Sequence, residues 1–338
     1  MSSVADRLAG LTGRPVRAVR TVGAQHGHAH LEIEFADGTR GFGKVGGASG
    51  AGASPFLAEK VGGASGAGAS PFLAEANGLR WLAEAGQMPV PEVLGADEAA
   101  LVVALVAPLE AASAAAANRF GGDLARLHAA GSSGTGFGAP WPGFIASLPL
   151  DNSPGTSWPA WYAERRLLPF VRMAVESGAL RAADGALVER VVARIDSLAG
   201  PSGAEPPSRI HGDCWSGNVL WSGGRGWLID PAAHGGHRET DLAMLALFGA
   251  PHLPDILAGY QDAMPLAAGW QARVPLHQLH PLLVHACLFG SSYRSGVCAA
   301  ARAALGLSAW QLPGVRNVRL VLLVRDEAIG RKSANRGS

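Results

Sequence analysis

Cysteine is scarce in this sequence of 338 residues. The three cysteines are Cys214, Cys287 and Cys298, and no two of them have the CxxC spacing of a zinc or redox motif. An odd number of scattered thiols does not form a disulfide framework, and the grouped ligands of a structural zinc site are missing. The sequence therefore excludes a disulfide-stabilised small fold and a cysteine-based zinc site.

Charge is scarce as well. Charged residues make up 16% of the chain, and 28 Lys and Arg residues almost balance 27 Asp and Glu residues, so the formal net charge is +1. Proteins that bind nucleic acid or membrane surfaces usually carry a basic excess, so neither partner is expected. The hydrophobic share of 48% is typical of a globular protein, and the length suits one large domain or two lobes.

Long apolar runs are missing too. No stretch reaches the roughly 18 uninterrupted apolar residues of a membrane-spanning helix. The beginning of the chain, MSSVADRLAGLTGRPV, lacks the apolar run of a signal peptide. We therefore expect a cytoplasmic protein that does not contact a membrane, and we predict a monomer.

Two regions of different character follow one another along the chain. In residues 1–106, HLEIEF and TRGFGKV around the turn ADG predict a β-hairpin, and ALVVALV predicts a buried strand. SPFLAEANGLRWLAEAG predicts a helix that Ser70 caps and that has Pro71 in its first turn. Residues 107–330 are mostly helical in pattern, with one small hairpin, and residues 331–338 form a loose tail. This order predicts an α+β protein with two lobes.

The segment HGDCWSGNVLW, followed by GWLIDP, concentrates oxygen-bearing side chains. Asp213 and Asn218 lie five residues apart in a loop, and a hairpin folds Asp230 back beside them. Amide and carboxylate oxygens are hard ligands of the kind that Mg²⁺ takes from proteins, with phosphates and water in the remaining positions. Asp213 is then free to accept a proton from a substrate hydroxyl, as in the catalytic loop of protein kinases. The pattern predicts phosphoryl transfer.

The same segment, with LIDPAAHGGHRETDLAMLALFG, FIASLPLDN and AERRLLPF, closely resembles the fructosamine (ketosamine) kinase family. That family belongs with the aminoglycoside phosphotransferases in the protein-kinase-like superfamily, and the resemblance extends from about Val22 to about Ala304. It implies a bilobal fold, with an antiparallel sheet and a helix in an N-terminal ATP-binding lobe and a mainly helical catalytic and substrate lobe. It also implies ATP and Mg²⁺, and phosphorylation of the sugar 3-hydroxyl of small-molecule or protein-bound ketosamines.

The resemblance also assigns roles to individual residues. It makes Asp213 the catalytic base and makes Asn218 and Asp230 the metal ligands. LVVALVAPLE matches the family's hinge strand, so the backbone groups expected to face adenine are those of Ala104, Leu105 and Val106.

Three neighbours of the catalytic loop have less specific signals. His211 is expected to brace the loop. Trp215 either stacks on the substrate or packs under the loop, and the sequence favours neither. Asp241 is well placed to cap the helix DLAMLALFG; the resemblance gives it a second role in steadying the catalytic loop, but the cap is the favoured interpretation.

The predicted phosphate loop, TVGAQHGHAHL, departs from the family pattern. Gly23 and Gly27 allow the backbone to approach phosphates closely, but a GxGxxG sequence is absent. His26, His28 and His30 would share one face of a strand, yet no cysteine or carboxylate joins them, so a metal site is not expected there.

The most unusual feature is a perfect tandem repeat, because KVGGASGAGASPFLAE occupies residues 44–59 and again residues 60–75. A kinase-like N-lobe needs one strand lysine for the phosphates and one helix glutamate to hold it. Glu75 leads directly into the predicted helix, and Lys44 ends the predicted hairpin strand. We therefore predict the pair Lys44 and Glu75, with Lys60 as the alternative lysine.

Two other functions remain open from the sequence. One is a kinase for another small hydroxyl compound, such as an aminoglycoside, although residues 277–304 contain no Asp or Glu to bind a polycation. The other is a catalytically impaired nucleotide-binding protein, which the altered phosphate loop and the repeat would favour. The intact set of Asp213, Asn218 and Asp230 favours catalysis.

Overall fold

The computed structural model describes residues 3–25, 27–46, 70–132, 134 and 136–307. An antiparallel sheet with two helices comes first and a mainly helical region follows, which confirms the predicted α+β class. The first region contains α1 (Val4–Thr12), β1 (Val16–Gln25), β2 (His28–Phe35), β3 (Arg40–Gly46), α2 (Pro71–Glu84), β4 (Val93–Asp97) and β5 (Ala100–Ala104). The sheet order is β1-β2-β3-β5-β4.

The β2–β3 hairpin follows from its sequence. Gly38 adopts φ +81° in the turn, a conformation in which glycine carries no steric cost. Along β2, alternate residues Leu31, Ile33 and Phe35 are buried against Leu8 of α1, as the period of two in a strand requires. On β3, Lys44 lies opposite His30 on one side and Leu101 on the other.

Helix α2 begins as predicted. The Ser70 hydroxyl accepts a hydrogen bond from the Phe72 N–H, and Pro71 occupies the first turn. The helix ends at Glu84, and Gly86 follows with φ +64°. Phe72 and Leu79 are buried against strands β4 and β5, so the helix is fixed on one face of the sheet.

The second region contains most of the helices. Its elements are α3 (Ala114–Ala129), β6 (Gly143–Ile145), β7 (Leu148–Leu150), α4 (Trp158–Tyr162), α5 (Leu168–Glu176), α6 (Ala182–Val192), α7 (Ile195–Ala199), β8 (Ser208–Ile210), β9 (Val219–Ser222), β10 (Arg225–Leu228), β11 (His234–Gly236), α8 (Glu239–Leu247), α9 (Leu253–Ala263), α10 (Trp270–Phe289) and α11 (Arg294–Ala304). The strands pair as β6 with β7, β8 with β11 and β9 with β10.

The sequence SWPAWYAERRLLPFVRMAVESG, which has a helical pattern, contains a π-helical segment, Ala163–Leu167. The Leu168 N–H donates five residues back, to the Ala163 carbonyl. Pro169 has no N–H with which to bond the Arg165 carbonyl, and that carbonyl instead accepts a hydrogen bond from the Arg166 guanidinium. The wider turn is thus the local consequence of a proline inside a helical pattern.

The hairpin β9–β10 packs beneath both regions. Its Leu228 shares a hydrophobic core with Trp81 and Leu82 of α2 and with Phe120 of α3. The Leu228 N–H also donates to the Pro89 carbonyl. The residues that follow Leu228 are therefore positioned by the N-terminal helix as well as by the C-terminal helices.

The chain passes from the sheet to the helical region through residues 105–113. The predicted boundary after residue 106 lies in this linker, and the assignment of an ATP-binding lobe and a catalytic lobe stays a prediction. The predicted tail, residues 331–338, lies outside the described residues. Within the described ranges, no helix is long and apolar enough to cross a membrane.

Candidate active site

The predicted catalytic loop, residues 211–218, lies between β8 and β9 and is held by a glycine turn and by the His211 side chain. Gly212 has φ +81°, and a Cβ at this position would lie 2.3 Å from the Ala232 carbonyl oxygen, so only glycine fits. The Asp213 N–H donates to His211 Nδ1, and His211 Nε2–H donates to the Ile229 carbonyl. His211 is fully buried and therefore lies in a position to brace the loop, as its sequence position predicted.

Asp213 and Asn218 are in direct contact. Asn218 Nδ2 donates to Asp213 Oδ2 at 2.9 Å and to the Asp213 carbonyl at 2.9 Å. Burial raises the pKa of Asp213, the Asn218 hydrogen bond lowers it and the negative charge of Asp230 raises it, with the result that the pKa is about 7. A carboxylate whose pKa lies near neutrality is suited to general base catalysis.

Asp230 follows β10 and has φ +54°, which is unusual for a residue other than glycine. The hairpin brings it to the same place as Asn218, whose side-chain amide lies 3.5 Å from the Asp230 carbonyl. The Asp230 carboxylate reaches the N-terminal sheet, since its Oδ1 lies 2.6 Å from Lys44 Nζ. The predicted trio of Asp213, Asn218 and Asp230 is thus brought together.

Lys44 of strand β3 forms ion pairs with helix α2 and with the residue that follows strand β10. Its Nζ lies 2.9 Å from each carboxylate oxygen of Glu75 in addition to the contact with Asp230. Burial lowers the pKa of Lys44, but the two carboxylates raise it by more, so the amine stays charged. The pairing chosen from the sequence is the one seen in the fold, and Lys60 lies outside the described residues.

The position of Asp241 contradicts its predicted role as a helix cap. Helix α8 begins at Glu239, before Asp241, and its N-cap residue makes no capping hydrogen bond. The Asp241 carboxylate instead accepts the N–H of His211 at 2.7 Å and the N–H of Gly212 at 3.0 Å. The favoured role as a helix cap was wrong, because the carboxylate turns toward the loop that lies before it in sequence.

Trp215 is 38% exposed and lies beside an aromatic group that sequence reasoning missed. Its ring meets Phe248 edge-to-face at 5.9 Å, and ring contacts continue through His285 to Phe289 and Tyr293. We call these five residues the aromatic shelf. His285 Nδ1–H donates to the Pro281 carbonyl, so Nε2 is left as an acceptor. The aromatic residues Phe248, Phe289 and Tyr293, which come after the predicted catalytic loop in the sequence, were the signal that could have revealed this surface.

Two of the three predicted hinge residues use their N–H groups inside the sheet. The Ala104 N–H donates to the Glu92 carbonyl at 2.8 Å, and the Leu105 N–H donates to the Arg40 carbonyl at 3.0 Å. The Val106 N–H has no acceptor among the described residues. The following linker is held to the β9–β10 hairpin, because Glu110 bonds the Trp221 carbonyl through its N–H and accepts from the Gly223 N–H.

The predicted phosphate loop is a tight hairpin turn between β1 and β2. Gly27 has φ +80° in the turn, and Gly23 lies on β1 opposite His30. His26 lies outside the described residues. The ring of His28 contacts Phe72, and the ring of His30 contacts Phe42.

Among the described residues, one group has the spacing of metal ligands: His237, Glu239 and His277. The ligand atoms of Glu239 and His237 are already engaged. Arg273 binds both carboxylate oxygens of Glu239, while His237 donates to the Ser202 carbonyl and accepts the Glu239 N–H. A nearby guanidinium also opposes a metal cation, so this cluster is a buried structural network.

Comparison with known proteins gives the family. The family model for fructosamine kinase matches residues 64–305. The probable ketoamine kinase YniA of Escherichia coli (strain K12) is 34% identical over 221 residues, covering 64% of this chain and 75% of the relative. The chloroplastic protein-ribulosamine 3-kinase of Arabidopsis thaliana is 32% identical over 181 residues, covering 52% of this chain and 53% of the relative.

Comparison with solved structures is consistent with this family. A candidate fructosamine-3-kinase from Thermobifida fusca YX-ER1 has a TM-score of 0.81 and 48% identity, covering 90% of this chain and 99% of that chain. A macrolide 2'-phosphotransferase from Brachybacterium faecium has a TM-score of 0.52 and 17% identity over 92% of this chain and 98% of its own, so it shares the kinase-like fold. The family match across residues 64–305 shows that the chain belongs to the fructosamine kinase family and is a phosphotransferase with an alcohol group as acceptor.

Proposed function

We propose that the chain transfers the γ-phosphoryl group of ATP to a sugar hydroxyl of a ketosamine, of the fructosamine or ribulosamine type. The observation that carries this proposal is the geometry of Asp213, which Asn218 holds through one carboxylate oxygen only. The other oxygen, Oδ1, has no hydrogen-bond partner among the described residues and is left for a substrate proton. Asp230, whose charge acts on Asp213, lies together with Lys44 and Glu75, and these three residues provide the charged surroundings that phosphates require.

The oxygen atoms of Asp230 and Asn218 fit a magnesium ion. The Asn218 amide nitrogen is occupied by Asp213, so its oxygen is the free end, and the Asp230 side chain is 43% exposed. An exposed carboxylate with an amide oxygen near it offers the hard oxygen ligands that Mg²⁺ prefers. The chemistry that Mg²⁺ supplies in such a site is neutralisation of charge on the β- and γ-phosphate oxygens.

In the proposed reaction, the acceptor hydroxyl gives its proton to Asp213 Oδ1 while its oxygen forms a bond to the γ-phosphorus. The bond between that phosphorus and the β–γ bridging oxygen breaks, and ADP leaves with the electron pair. The raised pKa of Asp213 makes it a stronger base than an ordinary carboxylate. The Lys44 ammonium, held by Glu75, offsets negative charge on the nucleotide phosphates.

In this proposal, the backbone of the hinge residues Ala104, Leu105 and Val106 binds adenine. Since the N–H groups of Ala104 and Leu105 already donate to the Glu92 and Arg40 carbonyls, the hinge N–H that donates to adenine is that of Val106. The carbonyl groups of the same segment complete the contact as acceptors.

The acceptor binds against the aromatic shelf in this proposal. Trp215 follows the base closely in sequence and presents a partly exposed indole, and aromatic faces bind sugar C–H groups and cationic amines. His285 Nε2 is an acceptor on the same surface. A ketosamine offers both a sugar and an amine substituent to such a surface.

The proposal is tested by ATP turnover with synthetic fructosamine and ribulosamine, with an aminoglycoside as the comparison acceptor. We expect Mg²⁺-dependent ADP release with a ketosamine only. Turnover confined to the aminoglycoside would show a different substrate class. ATP binding without turnover on any acceptor would show a nucleotide-binding protein that lacks catalysis.

Trp215→Ala is expected to raise KM for the ketosamine more than KM for ATP, because the indole contacts the acceptor side of the loop. Steady-state kinetics with each substrate varied in turn measure the two values. Trp270→Ala, at a half-buried tryptophan that begins α10, is the control and should change neither. Equal increases in both KM values, with a lower melting temperature, would instead assign Trp215 to packing.

Asp230→Ala is expected to abolish Mg²⁺-dependent turnover, since the metal would lose its anionic protein ligand. Activity measured across a Mg²⁺ titration provides the check, with Asp255→Ala as a matched control at an exposed carboxylate. A variant that kept normal activity at limiting Mg²⁺ would contradict the metal assignment.

A further inference from the structure

Behind the catalytic loop lies a chain of buried polar groups that leads away from the reacting atoms. Asp241 accepts the backbone N–H groups of His211 and Gly212. It also contacts His128 of α3, whose Nε2 lies 3.1 Å from Asp241 Oδ2. His128 Nδ1 in turn lies 2.8 Å from the Tyr260 hydroxyl of α9.

The chemistry of the groups sets the direction of these hydrogen bonds. An ionised carboxylate can only accept, and the hydrogen bonds to His128 and to the loop lower the pKa of Asp241 although its burial opposes them. His128 Nε2 must therefore carry the proton, and in the neutral ring Nδ1 is an acceptor for the Tyr260 hydroxyl. Burial raises the pKa of Tyr260 more than nearby Arg238 lowers it, so the hydroxyl keeps its proton to donate.

Helix packing places Tyr260 at this point. A Cβ on Gly121 of α3 would lie 1.9 Å from the Ile256 carbonyl oxygen, and a Cβ on Gly259 of α9 would lie 1.9 Å from the Asn118 carbonyl oxygen. Only glycine at both positions allows the two backbones to touch. The close crossing brings the Tyr260 hydroxyl to His128, and both side chains are almost fully buried.

We propose that His128 and Tyr260 are positioning residues for phosphoryl transfer, because they orient the Asp241 carboxylate that holds the backbone leading to Asp213. Neither residue touches the substrate. Tyr260 fixes the His128 tautomer and ring, His128 fixes one Asp241 oxygen, and Asp241 fixes the N–H groups of His211 and Gly212. A small error in the placement of a base reduces the rate without changing how tightly substrates bind. The proposal rests on the proposed kinase function.

The test uses conservative variants of the full chain. Tyr260→Phe removes one hydroxyl, and Tyr162→Phe removes an equally buried hydroxyl that bonds the Leu276 and His277 carbonyls. His128→Gln retains a donor in the position of Nε2–H, whereas His128→Asn does not reach that position. The readouts are kcat and KM for ATP and ketosamine, melting temperature, and amide hydrogen exchange at His211 and Gly212.

We expect Tyr260→Phe to lower kcat about 10- to 100-fold, the range for groups that orient a functional residue from behind, with nearly unchanged KM values. His128→Gln should keep more of kcat than His128→Asn. Amide exchange at His211 and Gly212 should accelerate in Tyr260→Phe and stay at the wild-type rate in Tyr162→Phe. In Tyr162→Phe only the melting temperature should fall.

Two results would overturn the proposal: an unchanged kcat with unchanged exchange in Tyr260→Phe, or the same kcat loss in Tyr162→Phe. An inactive wild-type protein would refute the proposed function instead. In that case the exchange comparison still decides whether Tyr260 holds the loop.

Discussion

Asp213→Asn is expected to lower turnover by about 10²–10⁴-fold while ATP binding stays almost intact, the usual range for loss of a positioned general base. Asparagine has nearly the same shape, so its side-chain oxygen can still accept the hydrogen bond from Asn218 Nδ2. Its amide does not take the hydroxyl proton at neutral pH. Single-turnover phosphoryl transfer and calorimetric ATP titration separate the two effects.

The matched control is Asp255→Asn, at an exposed carboxylate of α9. It should retain wild-type turnover. Unchanged turnover in Asp213→Asn would remove Asp213 as the base, and a loss of ATP affinity equal to the loss of rate would place it at the nucleotide rather than at the acceptor.

Lys44→Met is expected to impair ATP use by about 10²–10³-fold, comparable to the loss of one preorganised donor at developing negative charge. The substitution removes the only ammonium that the described residues place against Glu75 and Asp230. The two carboxylates would then face each other without a counter-charge, and the pKa of Glu75, which burial already raises, would lose the lowering effect of the Lys44 charge. Steady-state kinetics with ATP varied, together with a melting curve, measure both consequences.

The tandem repeat supplies an unusually close control for Lys44, because Lys60 begins an identical stretch of 16 residues. Lys60→Met should be nearly silent. Deletion of residues 45–60 should preserve activity, since each doubling of loop length costs only about 0.6 kcal/mol. A damaging Lys60→Met with a tolerated Lys44→Met would show that the second copy supplies the functional lysine.

Much of the architecture could be predicted from local sequence. The turn ADG, the alternation in HLEIEF and the Ser70–Pro71 start of a helix are local signals, and the corresponding elements formed as predicted. The motif from Asp213 to Asp230 could also be read directly, because a short hairpin leaves few ways to arrange its ends. These features depend on neighbours within a few residues, and such neighbours are visible in the sequence itself.

The pair Lys44 and Glu75 shows how far such reasoning extends. The repeat offers two lysines and two glutamates for a single predicted lysine–glutamate pair. The choice depended on which lysine ends a paired strand and which glutamate continues into a helix. The observed distances of 2.9 Å agree with that choice, while the catalytic role of the pair remains a prediction.

Sequence alone therefore determined the family resemblance, the order of the elements and the identity of the central motif. Tertiary structure alone decided what Asp241 contacts, which N–H of the predicted hinge lacks an acceptor among the described residues, and which aromatic residues accompany Trp215. The physical reason is that a buried polar group takes the partner that folding brings to it. For Asp241 that partner is His128, 113 residues away, and for Asp230 it is Lys44, 186 residues away.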